Sequence, residues 1–136
     1  MEANRDLAVG VIGLGNMGSG VAARLVEVGF PVLGFDISEE RNNQAAGKGI
    51  VIAEGVADVA RRASRLICLV DTSAQVERVV SDVAFVAGGG DIFICMSTVD
   101  LVTIQKSCDE LSKVGWVLVD APSAAALWRH RREIYR

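Results

Sequence analysis

The strongest constraint on this chain lies near its start, where the apolar run Leu7-Ala8-Val9-Gly10-Val11-Ile12 leads directly into Gly13-Leu14-Gly15-Asn16-Met17-Gly18. A run that is apolar at consecutive positions suits a strand buried on both faces, as in a parallel sheet. Three glycines spaced G-x-G-x-x-G then call for a tight turn at the first, a bare backbone at the second and close helix–strand contact at the third. Residues 17–28 place Met17, Val21, Leu25 and Val28 at helical spacing, and Gly29 supplies a stop. Strand, turn and helix therefore open a β-α-β unit, with unpaired amides and the positive end of a helix aimed at an anion.

The alternation continues along the chain. Further strands are expected at 31–35, 50–52, 65–70, 92–95 and 116–119, and further helices at 39–46, 55–63, 73–83 and 101–113. Val76, Val79, Val80 and Val83 share one helical face, and Gly88-Gly89-Gly90 break the helix that carries them. Six strands separated by helices predict an α/β fold of Rossmann type: a doubly wound, mainly parallel six-stranded sheet with helices on both faces.

At 136 residues the chain is about one domain long on the usual range of roughly 100–200 residues. It divides by composition into a folded body, 1–126, and a basic tail, 127–136. That tail carries four arginines against one glutamate, which leaves the body at −6 (10 basic against 16 acidic residues), within a chain of net charge −3. Such a body opposes phosphate neutralisation, so nucleic acid is excluded as a partner. No apolar run approaches the roughly 18 residues of a membrane span, and the polar start is unlike a secretory signal, so a soluble intracellular protein is expected. Cys68, Cys95 and Cys108 form no C-x-x-C, which excludes a disulfide framework and a zinc knuckle, and Cys68 and Cys95 are expected to be buried. His130 stands among arginines in the tail, and Lys106 and Lys113 fall on a helix surface, so none of the three is assigned a catalytic role.

The glycine loop gains meaning from Asp36, 18 residues after Gly18 and at the end of the second strand. A carboxylate there accepts hydrogen bonds from both ribose hydroxyls of an adenosine and repels a 2′-phosphate, which favours NAD over NADP. The segment from Gly13 to Gly18, with Leu25 and Gly29-Phe30-Pro31-Val32, resembles the start of the β-hydroxyacid dehydrogenases, the group of 3-hydroxyisobutyrate and 6-phosphogluconate dehydrogenases. Ser97-Thr98-Val99 and Val119-Asp120-Ala121-Pro122 are similar to two later segments of that family, so the resemblance covers about residues 7–122. It implies that Gly13, Leu14, Gly15, Asn16, Met17 and Gly18 hold the pyrophosphate and Asp36 the adenosine ribose. It also implies that Val70 and Asp71 lie beside the cofactor, with Thr98 near the nicotinamide ribose.

The chain also departs from the family. Val21 and Arg24 replace the usual Met and Asn of the first helix, and Cys95 and Leu101 stand where Asp and Pro flank the Ser-Thr pair. Ser123-Ala124-Ala125-Ala126 replaces a Ser-Gly-Gly loop that grips substrate in the family, and the family's catalytic lysine lies beyond residue 136. The expectation is an NAD(P)-binding domain of a β-hydroxyacid dehydrogenase, truncated before its substrate domain, with no catalytic residue and no metal site of its own. A non-catalytic dinucleotide-binding or interaction module, its open face covered by a protein partner or a second copy, is the alternative.

Overall fold

The computed structural model describes residues 5–86 and 90–122. The strands are β1 (Val9–Ile12), β2 (Val32–Phe35), β3 (Val51–Ile52), β4 (Arg65–Cys68), β5 (Ile92–Cys95) and β6 (Val117–Asp120). Between them lie α1 (Asn16–Glu27), α2 (Glu39–Ala46), α3 (Val56–Arg62), α4 (Ser73–Ala84) and α5 (Leu101–Ser112). All six strands run parallel in the order β3-β2-β1-β4-β5-β6. This is the doubly wound arrangement that the alternation predicts, with the chain reversing direction across the sheet between β1 and β4. The basic tail, the Ser123–Ala126 run and two of the three consecutive glycines, Gly88 and Gly89, lie outside the described residues.

Alternating side chains divide the core. Ala8, Ile12, Leu66, Cys68, Phe93 and Cys95 face α3, α4 and α5, where Val59, Val76, Val80 and Leu111 meet them. Val9, Val11, Val32 and Ile67 face the other way, against α1 and α2 through Ala22 and Ala45. The expected valine face of α4 is buried in full. Beyond β4 the α1 side of the sheet carries no helix among the described residues, and Val117 and Val119 on the edge strand β6 are exposed.

The apolar stripe expected on α1 is corrected. Met17 and Val28 are exposed, and the buried face is built on Gly18 and Ala22, with Val21 and Leu25 partly buried beside them. The reason is steric. A Cβ on Gly18 would collide with the Gly13 carbonyl, its oxygen first and its carbon at 2.9 Å. The helix therefore sits closer to the β1 turn than any larger residue allows. Strand limits also tighten: β1 begins at Val9 rather than Leu7, and β4 ends at Cys68 rather than Val70, whose amide leaves the ladder for the Ser97 hydroxyl. No helix among the described residues is long and apolar enough to cross a membrane.

Candidate functional site

The carboxyl ends of β1, β2 and β4 open into one cleft of about 660 Å³, within the usual range for a small-molecule site. Gly13, Gly15 and Asn16 form its floor, Asp36, Ile37 and Arg41 one wall, and Val70, Asp71, Gln75 and Arg78 the other. Gly13 has φ +95°, and a side chain there would run into the Leu69 carbonyl. Only glycine makes this turn, because the left-handed region and the close approach both exclude a Cβ.

The amides of the loop are divided between structure and cleft. Gly13 N–H donates to the Phe35 carbonyl at 3.0 Å, and Leu14 N–H donates to Asp36 Oδ2 at 2.7 Å. Those two donors lock the loop to the end of β2. The helix that follows begins at Gly15 with no side-chain cap, and the first-turn amides of Asn16, Met17 and Gly18 find no acceptor among the described residues. By contrast α2 is capped by Ser38, and α4 by a reciprocal Thr72–Gln75 box whose Gln75 Oε1 also accepts from Asp71 N–H at 2.8 Å. α1 and the shorter α3, whose cap residue is Gly55, both begin without a side-chain cap, and it is the positive end of α1 that lies at the glycine floor of the cleft, as an anion site requires.

Asp36 is 6% exposed. Its Oδ2 accepts from Leu14 and its Oδ1 from the Ser38 amide at 2.9 Å, while its own backbone is clasped by Asn42 on both sides, at 2.9 Å and 2.8 Å. An ionised carboxyl carries about four acceptor positions, so two remain for donors in the cleft. Arg41 Nη1 lies 3.6 Å from Oδ2.

Six of the ten residues singled out from the sequence line the cleft: Gly13, Gly15, Asn16, Asp36, Val70 and Asp71. Leu14 is buried beneath it and contributes its amide to Asp36. Gly18 packs against the Gly13 carbonyl, and Met17 stands exposed on α1. Thr98 is exposed beyond the end of β5, outside the lining residues. Its neighbour Ser97 is buried and bridges two strand ends: its hydroxyl accepts from Val70 N–H at 2.8 Å and donates to the Cys68 carbonyl at 3.4 Å. Ser97 thus fixes the wall that Val70 presents. Sequence reasoning passed over Ile37, Arg41 and Arg78 as cleft residues. An apolar Ile37 left 87% exposed and a cation in the first turn of α2 are the signals that point to the first two.

Cys68 and Cys95 are buried and register-paired across β4 and β5. Burial, reinforced by the neighbouring Cys95, pushes the Cys68 thiol up to about 12, and burial also raises Cys95. Neither is a nucleophile at neutral pH. The described residues contain no group of three His, Cys, Asp or Glu side chains able to hold a metal ion.

Fold, open helix and paired carboxylate together define a dinucleotide-binding domain of the doubly wound class. Residues 8–125 match the NAD binding domain of 6-phosphogluconate dehydrogenase, and the chain belongs to that family. It is 32% identical over 117 residues to the mitochondrial 3-hydroxyisobutyrate dehydrogenase of Homo sapiens, an alignment covering 84% of this chain and 35% of that protein. Among solved structures it superposes on the 3-hydroxyisobutyrate dehydrogenase of Mycobacterium tuberculosis, studied with L-serine, with TM-score 0.81 and 28% identity over 86% of this chain and 40% of that one. The 3-hydroxyisobutyrate dehydrogenase of Salmonella typhimurium gives TM-score 0.78 and 28% identity over 86% and 42%. The chain therefore spans well under half the length of the relatives it matches.

Proposed function

We propose that the cleft holds a nicotinamide dinucleotide, with NAD(H) preferred over NADP(H), and that the domain serves oxidation of a β-hydroxy acid in the manner of its 3-hydroxyisobutyrate dehydrogenase relatives. The single observation that carries the reading is the open first turn of α1 at the cleft floor, set beside a carboxylate with two acceptor positions to spare. In this reading the open first-turn amides of Asn16, Met17 and Gly18 receive the pyrophosphate. Asp36 receives the ribose hydroxyls, and the adenine lies between Ile37 and Val70. Asp71 and Thr98 extend the site toward the nicotinamide, Thr98 from beyond the cleft lining. The bound cofactor supplies the hydride acceptor.

The preference for NAD(H) follows from charge. A 2′-phosphate beside the buried Asp36 carboxylate would meet repulsion that Arg41 only partly cancels, a difference of about tenfold in affinity at the effective dielectric of a protein surface. The test is fluorescence titration of the chain with NADH and NADPH. NADH is expected to bind more tightly. No binding of either at millimolar concentration would overturn the dinucleotide reading, and tighter binding of NADPH would overturn the preference.

A further inference from the structure

On the side of the sheet that faces α1, the strands β4, β5 and β6 carry apolar rows with no helix over them among the described residues. Register places Ile67, Ile94 and Val119 in one row and Ile92 beside Val117 in the next. Ile67 and Ile94 already belong to the cluster under α1, whereas Val119 and Val117 at the sheet edge are 42% and 62% exposed. The other side of the same strands is closed by α4 and α5. Parallel sheets are ordinarily covered on both faces, so this strip calls for an occupant.

The chain itself contains one. β6 ends at Asp120, at one end of the strip, and residues 123–136 follow Pro122 directly. Ser123 is a favoured N-cap, Ala124-Ala125-Ala126-Leu127 are strong helix formers, and neither glycine nor proline interrupts the segment. Arg131, Arg132 and Arg136 fall toward its end, where a helix favours cations. At the helical turn per residue, Ala124, Leu127, Trp128, Ile134 and Tyr135 share one arc of about 120°. Arg131 is the one polar residue in that arc, and its stem can lie on apolar surface while the guanidinium reaches the rim. A helix over 124–135 is about 18 Å long, enough to run back along the roughly 13 Å of β6 as far as Val117.

Charge and connectivity favour this segment over a second copy. Its four arginines and one glutamate face a body at −6, so the two attract, whereas two such bodies repel. The short link through Pro122 also holds the segment at an effective concentration of about millimolar, which a separate molecule does not reach. We infer that residues 123–136 form an amphipathic helix that docks antiparallel to β6 on this strip. Leu127 and Trp128 then cover Val119 and Ile94, and Ile134 and Tyr135 cover Val117 and Ile92. The chain thereby closes its own open face, whatever the cleft at the other end of α1 binds.

Hydrogen exchange of the wild-type chain, read by mass spectrometry, tests the helix. Amides of 127–135 are expected to exchange at least about tenfold more slowly than an unstructured peptide, and Leu127→Ser with Ile134→Ser should abolish that protection. Cross-linking tests the docking, in the full chain with Cys108→Ser removing the exposed native thiol. Val117→Cys with Tyr135→Cys spans the inferred contact. Phe85→Cys with Tyr135→Cys is the control, since Phe85 is 85% exposed at the end of α4 on the opposite side of the sheet. A short bis-maleimide should join the first pair within one chain at least about tenfold faster than the control pair. Exchange at unstructured rates, or equal rates for the two cysteine pairs, overturns the docked helix. Cross-links that form only between chains and rise with protein concentration overturn it in favour of a second copy.

Discussion

Two alanine substitutions on the same helix, two residues apart, should act in opposite directions. Gly20 sits in α1 with nothing within 4 Å of an added Cβ, so Gly20→Ala gains the ordinary helix propensity of about 0.5–1 kcal/mol. Gly18→Ala gains the same propensity and meets the Gly13 carbonyl. The carbonyl carbon alone would stand at 2.9 Å, against an ordinary carbon–carbon separation of about 3.5–4.0 Å. Helix start and loop must part by more than about 0.6 Å for that atom and further for the oxygen, both of them backbone with no rotamer to yield.

Overpacking costs about 1–3 kcal/mol, and a clash with backbone falls in the upper part of that range, so after the propensity gain the net for Gly18→Ala is a loss of about 1–2 kcal/mol. For a domain of this size that is a fall in Tm of roughly 3–10 °C, against a rise of roughly 2–4 °C for Gly20→Ala. Thermal and urea melts of both variants measure the difference. The displacement falls at the open end of α1, so NADH affinity should drop by about tenfold or more in Gly18→Ala and stay unchanged in Gly20→Ala. A Gly18→Ala protein as stable as Gly20→Ala would refute the close-approach argument, and one that is destabilised yet binds NADH normally would separate the helix start from the cleft.

Asp36→Asn keeps the size of the side chain and removes its charge, and titration should find the gap between NADH and NADPH narrowed by about tenfold; an unchanged ratio would remove the carboxylate from cofactor choice. Iodoacetamide at pH 8 should modify Cys108 in the native chain and reach Cys68 and Cys95 only after denaturation, since burial of both and the raised Cys68 value of about 12 withhold the thiolate; mass spectrometry reads the sites, and native labelling of Cys68 at the Cys108 rate would contradict the burial. Asp100 caps α5, and the Thr103 amide, followed by the Ser73 and Thr103 hydroxyls, lowers its carboxyl below the usual range. A lowered folded value means stability that is present above the ordinary aspartate range and lost as pH falls through the folded value. The advantage of wild type over Asp100→Asn in melting should therefore be full at pH 7 and shrink on acidification below about pH 4, and an advantage independent of pH would show the cap to be indifferent to charge.

Local signals were legible wherever one stretch of chain carried the whole cause. The limits of α2 follow from Ser38 at the cap and Gly47 at the stop, and those of α4 from its valine quartet, and both match the expected spans within a residue. The α1 stripe failed because hydrophobicity cannot reveal that a helix buries its smallest residues in order to approach a turn. That Gly13, Gly15 and Asp36 would meet at one cleft was legible in the sequence. What joined them was not. Leu14 and Asp36 are 22 residues apart, and no periodicity shows that one amide of the loop is committed to the carboxylate before any ligand arrives. Arg41 escaped notice for a related reason: a charge in a polar helix reads as solvated surface until the turn after β2 brings it over Gly15.

The Leu14–Asp36 contact also bears on how the cleft selects its ligand. A carboxylate held by two amides has already lost its rotamer freedom, so ribose hydroxyls that bind it meet no further ordering cost. The same two amides hold it buried, and a buried charge acts on an incoming phosphate more strongly than a solvated one. Nearby compensation can therefore come only from a cation on the cleft side, and Arg41, five residues later on the same short turn and helix, is placed to supply it. The sign of the potential at the ribose is thus set by the geometry of residues 36–41 rather than by the chain's overall charge of −3. On the proposed reading, a change at either residue would shift cofactor choice while the sheet, the glycine loop and the open helix stay as they are.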